Sequence, residues 1–172
     1  GKLIQTHCIA GGKSESIIQP EWSPGGDLFF ISDRSGWWIP YRSRDGMISS
    51  LCDLQAEFGL PQWVFGLSTY GFYGDDQLIC AYSHAGRNHL SRLDITSGEL
   101  TNLETAYEEF SSIIVKNGKV IFVGGSSDQP TELVSYDLVS GKLKVLRQAT
   151  STRIEKGFIS IPQEISFPSQ NN

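Results

Sequence analysis

An internal repeat dominates the sequence. The segment Asp94-Ile-Thr-Ser-Gly98-Glu-Leu100 is echoed 43 residues later by Asp137-Leu-Val-Ser-Gly141-Lys-Leu143. A repeat of about 40 to 50 residues that holds four short strands is the size of one β-propeller blade. The spacing therefore predicts a chain built from blades laid side by side.

Three further segments follow the same period. Turn residues at Gly26, Asp76 and Gly118 each lead into a short apolar run, and we interpret these runs as the second strands of three successive blades. Gly46 takes the place of Gly98 in the first closing hairpin, which makes the second unit about nine residues longer than the third. The predicted units are a last strand of a preceding blade at 1–12, blades at 13–52, 53–104 and 105–147, and an exit segment at 148–172.

The predicted fold class is all-β, a partial propeller of about three complete four-stranded antiparallel blades plus flanking strands. The first strands of the three blades are predicted at 17–22, 63–67 and 111–116. Helix signals are nearly absent, and only 54–58 and 103–110 are long enough for a turn or two. Two short strand-like runs are expected in the exit segment, at 158–161 and 165–167.

Composition excludes several classes of function. The 172 residues are 39% hydrophobic and carry a net charge of −5, with scattered basic residues, which argues against a nucleic-acid partner. No apolar run approaches the ~20 residues that span a bilayer, so no membrane association is expected. Cys8, Cys52 and Cys80 are odd in number and lack a C-x-x-C spacing, which favours neither a disulfide framework nor a zinc site. A cytoplasmic location is expected.

Several longer motifs resemble one enzyme family. They are Gln19-Pro-Glu-Trp22-Ser-Pro24-Gly-Gly26, Ser32-Asp-Arg34-Ser-Gly36-Trp37-Trp38, the central run from Ala56 to Gly66, and Ile161-Pro162-Gln-Glu164-Ile165-Ser-Phe167-Pro168. Together they are similar to the propeller of the prolyl oligopeptidase family of serine peptidases, in particular its acylaminoacyl peptidase and dipeptidyl aminopeptidase branch. The resemblance covers essentially the whole chain. It departs from the family at Gly26, where the turn usually has Asp before Gly.

The resemblance implies a non-catalytic role for these residues. In this family the exit motif leads into an α/β-hydrolase domain that holds a Ser-Asp-His triad. The resemblance implies that this domain is the partner of the propeller. The propeller itself would admit short peptides and gate their access to the triad. A nucleophile elbow needs G-x-S-x-G, and the nearest approach, Gly124-Gly-Ser126-Ser-Asp128, lacks the closing glycine. The alternative is a TolB-like propeller that acts as a protein-binding module.

Four residues are candidates for substrate binding. Glu57 lies in the longer unit, and the resemblance implies that acidic propeller residues hold a peptide's free amino terminus; the alternative is an exposed loop carboxylate. Arg34 follows a turn Asp and is a candidate for the central channel. Trp38 and Trp63 would line an apolar pocket, or simply join the core.

No cofactor or metal is expected, since His7, His84 and His89 need not converge. An incomplete ring leaves sheet faces and strand edges uncovered, and such surfaces recruit other chains. The isolated chain is therefore expected to self-associate.

Overall fold

The computed structural model describes residues 4–61, 63, 65–152, 154–163, 165 and 167. In these residues twelve strands form three separate four-stranded antiparallel sheets. Within each sheet the strands lie in chain order, so every connection is a hairpin between neighbours. The predicted fold class, a partial propeller of three blades, is confirmed.

The first sheet contains β1 (Ile17–Trp22), β2 (Leu28–Ser32), β3 (Ile39–Arg44) and β4 (Met47–Ser50). The second contains β5 (Tyr70–Phe72), β6 (Gln77–His84), β7 (Arg87–Asp94) and β8 (Leu100–Asn102). The third contains β9 (Glu109–Lys116), β10 (Lys119–Ser126), β11 (Gln129–Asp137) and β12 (Leu143–Gln148). A single 3₁₀ turn, Lys156–Phe158, is the only helical element among the described residues.

The second sheet is buried on both faces. Successive side chains of a strand point to opposite faces, and on β6 Leu78 and Cys80 belong to the core shared with the first sheet, whereas Ile79 and Ala81 belong to the core shared with the third. All four are buried. The continuous apolar run 78–82 is therefore the sequence signature of a middle blade, packed between two neighbours.

The repeated motif closes the last hairpin of the second and third sheets in the same way. The Asp94 carboxylate accepts hydrogen bonds from the Ser97 amide at 2.7 Å and the Thr96 amide at 2.9 Å, and Asp137 accepts from the Ser140 amide at 2.9 Å. These backbone donors lower the pKa of both carboxyl groups. The repeat thus encodes one side-chain-capped turn, used twice.

A polar network ties the first strands of the three sheets together. The Gln19 amide donates to the Tyr70 carbonyl at 3.0 Å and accepts from the Thr69 amide at 2.8 Å. The Ser68 hydroxyl then donates to the Ile113 carbonyl at 2.8 Å. Gln19 and Ser112 both have positive φ, 46° and 55°, and each lies where the pairing register shifts. The same bulge therefore recurs in β1 and β9.

Some local predictions were wrong. The first strand of the second sheet is β5, not 63–67, because its backbone is fixed by Gln19 and by Gly71, where a Cβ would lie 2.9 Å from a Val115 methyl. Residues 54–58 form no helix, since Glu57 pairs with Ser83. Residues 103–110 form none either, because β9 begins within them, and 158–161 form no strand.

The described residues of the flanking segments contact the sheets but add no strand to them. Residues 4–16 contain one isolated bridge, between Gly12 and Glu15, and no strand. The prediction that 1–12 is a strand of a preceding blade requires a sheet other than these three, and it stays a prediction. The exit motif at 161–168 lies partly outside the described residues. β12 runs one residue past the predicted unit boundary at 147.

The two repeated glycines should differ in their tolerance of alanine. Gly141 has φ +68°, and a Cβ there would make only an ordinary 3.5 Å contact with the Tyr136 hydroxyl. Gly141→Ala should therefore cost about 1 kcal/mol of unfolding free energy, from backbone strain. Gly98 has φ +75°, and its Cβ would lie 2.8 Å from the Leu51 carbonyl oxygen, so Gly98→Ala should cost about 2 kcal/mol or more. Urea unfolding of both variants measures the difference, and equal losses would contradict the close approach.

Candidate functional site

The segments that follow the second and fourth strands of the sheets, including the long connections between sheets, lie at one end, which we call the exit end. The second and fourth strands of each sheet run in the same direction, so their following segments emerge together; their described parts are 33–38, 51–61, 65–69, 85–86, 103–108, 127–128 and 149–152. Contacts between sheets confirm this arrangement. The Phe58 amide donates to the Trp38 carbonyl at 2.7 Å, and the Asn88 side chain donates to the Glu108 carbonyl at 3.0 Å.

Glu57 lies at the centre of the junction between the first two sheets. Its backbone exchanges two 2.9 Å hydrogen bonds with Ser83 at the end of β6. Because Ser83 pairs with Asn88 on its other side, Glu57 continues the edge of the second sheet that begins with β5. Its carboxylate accepts a 3.3 Å hydrogen bond from the Trp38 amide. The side chain is half-buried, and one carboxylate oxygen is committed to this contact.

An aromatic stack supports the Glu57 segment. The Phe58 ring stacks on Tyr82 with centroids 4.6 Å apart, and Tyr82 stacks on His89 at 5.0 Å. Burial raises the pKa of Tyr82 and lowers that of His89. His89 therefore favours its neutral form, which suits a ring packed on an aromatic face. The stack fixes the backbone from which the Glu57 side chain projects.

Arg34 is held by an ion pair. Its Nε lies 2.7 Å from a Glu15 carboxylate oxygen, and its guanidinium lies 5.2 Å from the centre of the Tyr41 ring. Hydrogen bonds from Arg34 and Ser32 lower the pKa of Glu15 to about 2. Arg34 thus carries a fixed charge at the turn between β2 and β3, at the exit end.

The two candidate tryptophans occupy different environments. Trp38 is half-buried and packs against the core between the first two sheets, where a Cβ on Gly59 would come within 3.1 Å of its ring. Trp63 is 86% exposed, and its neighbours Gln62 and Val64 lie outside the described residues. The structure therefore brings Glu57 and Trp38 together, while the substrate-binding roles of all four candidates stay predictions.

Sequence reasoning missed two polar groups. Gln19 opens one of the motifs that carry the family resemblance, but nothing in that motif predicted its hydrogen bonds to the second sheet. Glu132 is 5% exposed and accepts hydrogen bonds from the Tyr107 hydroxyl and, at 2.6 Å, from the Gln148 side chain. It was overlooked because it alternates regularly within β11, where a charged residue normally faces solvent.

The described residues lack two other kinds of structural feature. They contain no group of three or more His, Cys, Asp or Glu side chains placed to hold a metal ion. They contain no helix with the length and apolar character needed to cross a membrane. All three cysteines are free.

Comparison with known proteins relates this geometry to a family. No family model and no curated protein matches the sequence. A puromycin-hydrolysing peptidase of Mycobacterium tuberculosis matches 93% of the chain with a TM-score of 0.85 and 27% identity, over 25% of its own length. A puromycin hydrolase matches 99% of the chain with a TM-score of 0.86 and 27% identity, over 26% of its length.

More distant structures share the fold alone. TolB from Acinetobacter baumannii is 15% identical, with a TM-score of 0.61, and the match covers 80% of this chain and 33% of TolB. A prolyl endopeptidase is 16% identical, with a TM-score of 0.53, and the match covers 73% of this chain and 19% of that protein. The chain spans about a quarter of the length of these puromycin-hydrolysing peptidases.

Over nearly its whole length the chain is similar to part of the puromycin-hydrolysing peptidases. Its three-sheet arc is the fold that it shares with a prolyl endopeptidase and with TolB. The resemblance drawn from the sequence motifs is confirmed.

The Arg34–Glu15 pair predicts a pH dependence. The folded-state pKa of Glu15, about 2, lies below its ordinary 4.5, so the pair's contribution is present above pH 4.5 and is lost as pH falls toward 2. Arg34→Gln should raise the pKa of Glu15 toward 4.5 and lower stability at pH 7 by about 0.5–1 kcal/mol, given the partial exposure of both groups. NMR titration of the Glu15 carboxyl and thermal unfolding measure this.

Arg44→Gln is the matched control. Arg44 pairs with Asp27 at the opposite end of the first sheet, so this variant removes the same charge and should leave Glu15 unaffected. A Glu15 carboxyl that titrates near 4.5 in the unaltered chain would contradict the ion pair.

Proposed function

We propose that this chain is the gating portion of a serine peptidase of the dipeptidyl aminopeptidase or acylaminoacyl peptidase type. In this proposal the stacked sheets admit short peptides to an α/β-hydrolase domain elsewhere in the full-length protein and exclude folded proteins. Hydrolysis takes place on that domain, through the family's Ser-Asp-His triad and an acyl-enzyme. The observation that carries the proposal is the match to puromycin-hydrolysing peptidases over nearly the whole chain.

The geometry of the exit end supports the proposal. Rigid sheets position several longer connections at this end, and loops on a rigid scaffold are where recognition residues usually lie. Glu57 is held from both sides, by Ser83 and Trp38, yet it is only half-buried. A carboxylate that is positioned and still accessible suits recognition of a cationic amino terminus.

We assign roles to the four candidate residues within this proposal. Glu57 receives the free amino terminus of the peptide, and Trp38 supplies the adjacent apolar wall. Exposed Trp63 contacts the substrate's side chains from the long connection before β5. Arg34, neutralised by Glu15, orients the turn that carries Trp38 and contacts the peptide only at its edge.

Kinetics of the full-length protein test the role of Glu57. Glu57→Gln keeps an oxygen acceptor for the Trp38 amide and removes the charge. It should lower kcat/KM about tenfold for a dipeptide anilide with a free amino terminus, the size of one charge-assisted hydrogen bond, and leave the N-acetylated anilide unchanged. Glu99→Gln, an exposed carboxylate in the hairpin at the other end of the sheet, is the control.

The outcomes separate recognition from structure. Equal loss on both anilides would indicate a structural role for Glu57, and no loss on either would refute the assignment.

The isolated 172-residue chain should hydrolyse neither anilide, and measurable hydrolysis by it would contradict the placement of the triad on another domain. The full-length protein should cleave a short peptide and spare the same sequence within a folded domain.

We also propose that the isolated chain self-associates, through the face of the third sheet that points away from the second. The strand register places four apolar side chains on that face, Ile114, Ile121, Val123 and Leu133. Ile114 is 55% exposed and Leu133 is 36% exposed. An uncovered apolar sheet face of this kind favours association with a second copy of the chain.

We also propose a cytoplasmic location, because the three cysteines are unpaired.

Sedimentation of the isolated chain over a range of concentrations tests the association. We expect a dimer that dissociates on dilution, and about a tenfold weaker dimer for Ile114→Ser, since about 1.5 kcal/mol is lost when an apolar side chain leaves an interface. Met47→Ser, an exposed apolar residue of the first sheet, should not weaken it. A monomer at every concentration would refute the association.

A further inference from the structure

The third sheet ends in an edge strand unlike those of the other two sheets. β12 has six residues, and all of them are exposed, whereas β4 has four residues and β8 has three. Natural proteins usually shorten or cover an edge strand, because its unpaired backbone groups recruit other strands. Within the part of the chain that the structure describes, no strand pairs with the outer side of β12. This strand is therefore a long and accessible edge.

The backbone of β12 is arranged for the addition of a further strand. The Lys142 carbonyl accepts a 2.9 Å hydrogen bond from the Asp137 amide of β11. Backbone groups of successive residues point to opposite sides of a strand, so the N–H and C=O groups of Leu143 and Val145 point away from β11. They present two donors and two acceptors at the edge. Peptides that add a strand to a sheet are bound through such groups.

Basic side chains accompany this edge. Lys144 lies opposite Ser135 in the ladder with β11. Arg147 lies opposite Leu133, which belongs to the face that points away from the second sheet. Both basic residues are exposed on that face. Five of the 14 Lys and Arg residues lie between 116 and 147 in a chain of net charge −5, so positive charge is concentrated in the third sheet.

The other face of β12 offers apolar contacts. Leu143 lies opposite Tyr136 and Val145 lies opposite Val134, and both β11 residues belong to the core between the second and third sheets. Leu143 is 39% exposed and Val145 is 40% exposed. A strand laid along this edge would cover them with alternate side chains. The edge thus presents positive charge on one face and apolar side chains on the other.

The charges decide which strand can pair here. A second copy of β12 would bring basic side chains opposite basic side chains, and like charges in such cross-strand pairs are destabilising. Lysine on an edge strand is one means by which natural sheets avoid pairing with themselves. A strand with acidic side chains on the same face would gain from the charges that repel a second copy.

We propose that the outer edge of β12 binds an extended acidic segment of a partner protein, which adds a fifth strand to the third sheet. The backbone of the segment pairs with Leu143 and Val145. Its acidic side chains lie beside Lys144 and Arg147, and the apolar side chains that alternate with them cover the opposite face. This binding depends on no property of the peptidase site, and it uses the edge of the sheet rather than the face assigned to self-association.

Three synthetic peptides test the proposal. The first alternates glutamate with valine, the second has lysine in place of each glutamate, and the third is the acidic peptide with N-methyl groups on the amides that would pair with β12. We expect the acidic peptide to bind the 172-residue chain at least about tenfold more tightly than either of the others at physiological salt. Amide chemical shifts of Leu143 and Val145 in the ¹⁵N-labelled chain report binding at the edge.

Salt separates the two contributions. At about 1 M salt, charges are screened beyond about 3 Å, so the preference for the acidic over the basic peptide should shrink. The preference over the N-methylated peptide should persist, because it reflects backbone pairing.

Lys144→Glu should lower the affinity for the acidic peptide about fivefold and raise the affinity for the basic one, as expected when an exposed charge pair is reversed. Lys116→Glu is the matched control. It makes the same change on the same face, but on β9 at the opposite edge of the sheet, roughly 14 Å away at the usual strand spacing. It should leave the preference between the two peptides intact.

Several results would overturn the proposal. They are equal affinity for the acidic and basic peptides, equal affinity for the acidic peptide and its N-methylated form, amide shifts confined to residues outside β12, and no binding of the acidic peptide. The comparison of peptides uses the unaltered chain, so it decides the matter without any substitution.

Discussion

The structure depends on the burial of the second sheet on both faces. A sheet with an apolar face must bury that face against another element. Here neither the first nor the third sheet could cover its apolar face without the second sheet. Alternate residues of β6 serve the two cores, Leu78 and Cys80 on one side and Ile79 on the other. Loss of packing in this strand would therefore release both contacts at once.

Apolar packing of this kind sets the distance between sheets but fixes their relative position poorly. Hydrogen bonds across the first strands supply the missing specificity. Gln19 reaches from β1 to the start of β5, and Ser68 continues from there to β9. Both bonds run between elements far apart in sequence. Backbone strain at Gln19, with its φ of 46°, is tolerated because the surrounding network determines that conformation.

The sequence was most informative where one local interaction decides the structure. The Asp-x-x-Ser-Gly turns were predictable because Asp94 and Asp137 bond their own following amides. Strand β6 was predictable because every residue of its centre is apolar. These features need no knowledge of the rest of the fold.

The predictions that were wrong concern features fixed by residues distant in the sequence. Strand β5 was missed because its position is set by Gln19 and by the close approach of Gly71 to Val115, both of them distant in sequence. The aromatic run near Trp63 gave a stronger local strand signal, yet Trp63 is exposed. Glu57 was identified as a candidate from its loop and from the family resemblance, but its contact with the Trp38 amide was not foreseeable. Such contacts exist only once two sheets have been placed.

The two carboxylates at the exit end, Glu57 and Glu132, have different environments. Glu57 is half-buried beside an exposed connection, so water can solvate its charge when no ligand is present, and its position alone makes it useful. Glu132 is almost fully buried, and its hydrogen bonds with Tyr107 and Gln148 hold its side chain within the third sheet. The first carboxylate can therefore meet a ligand without rearrangement, whereas the second links residues of its own sheet.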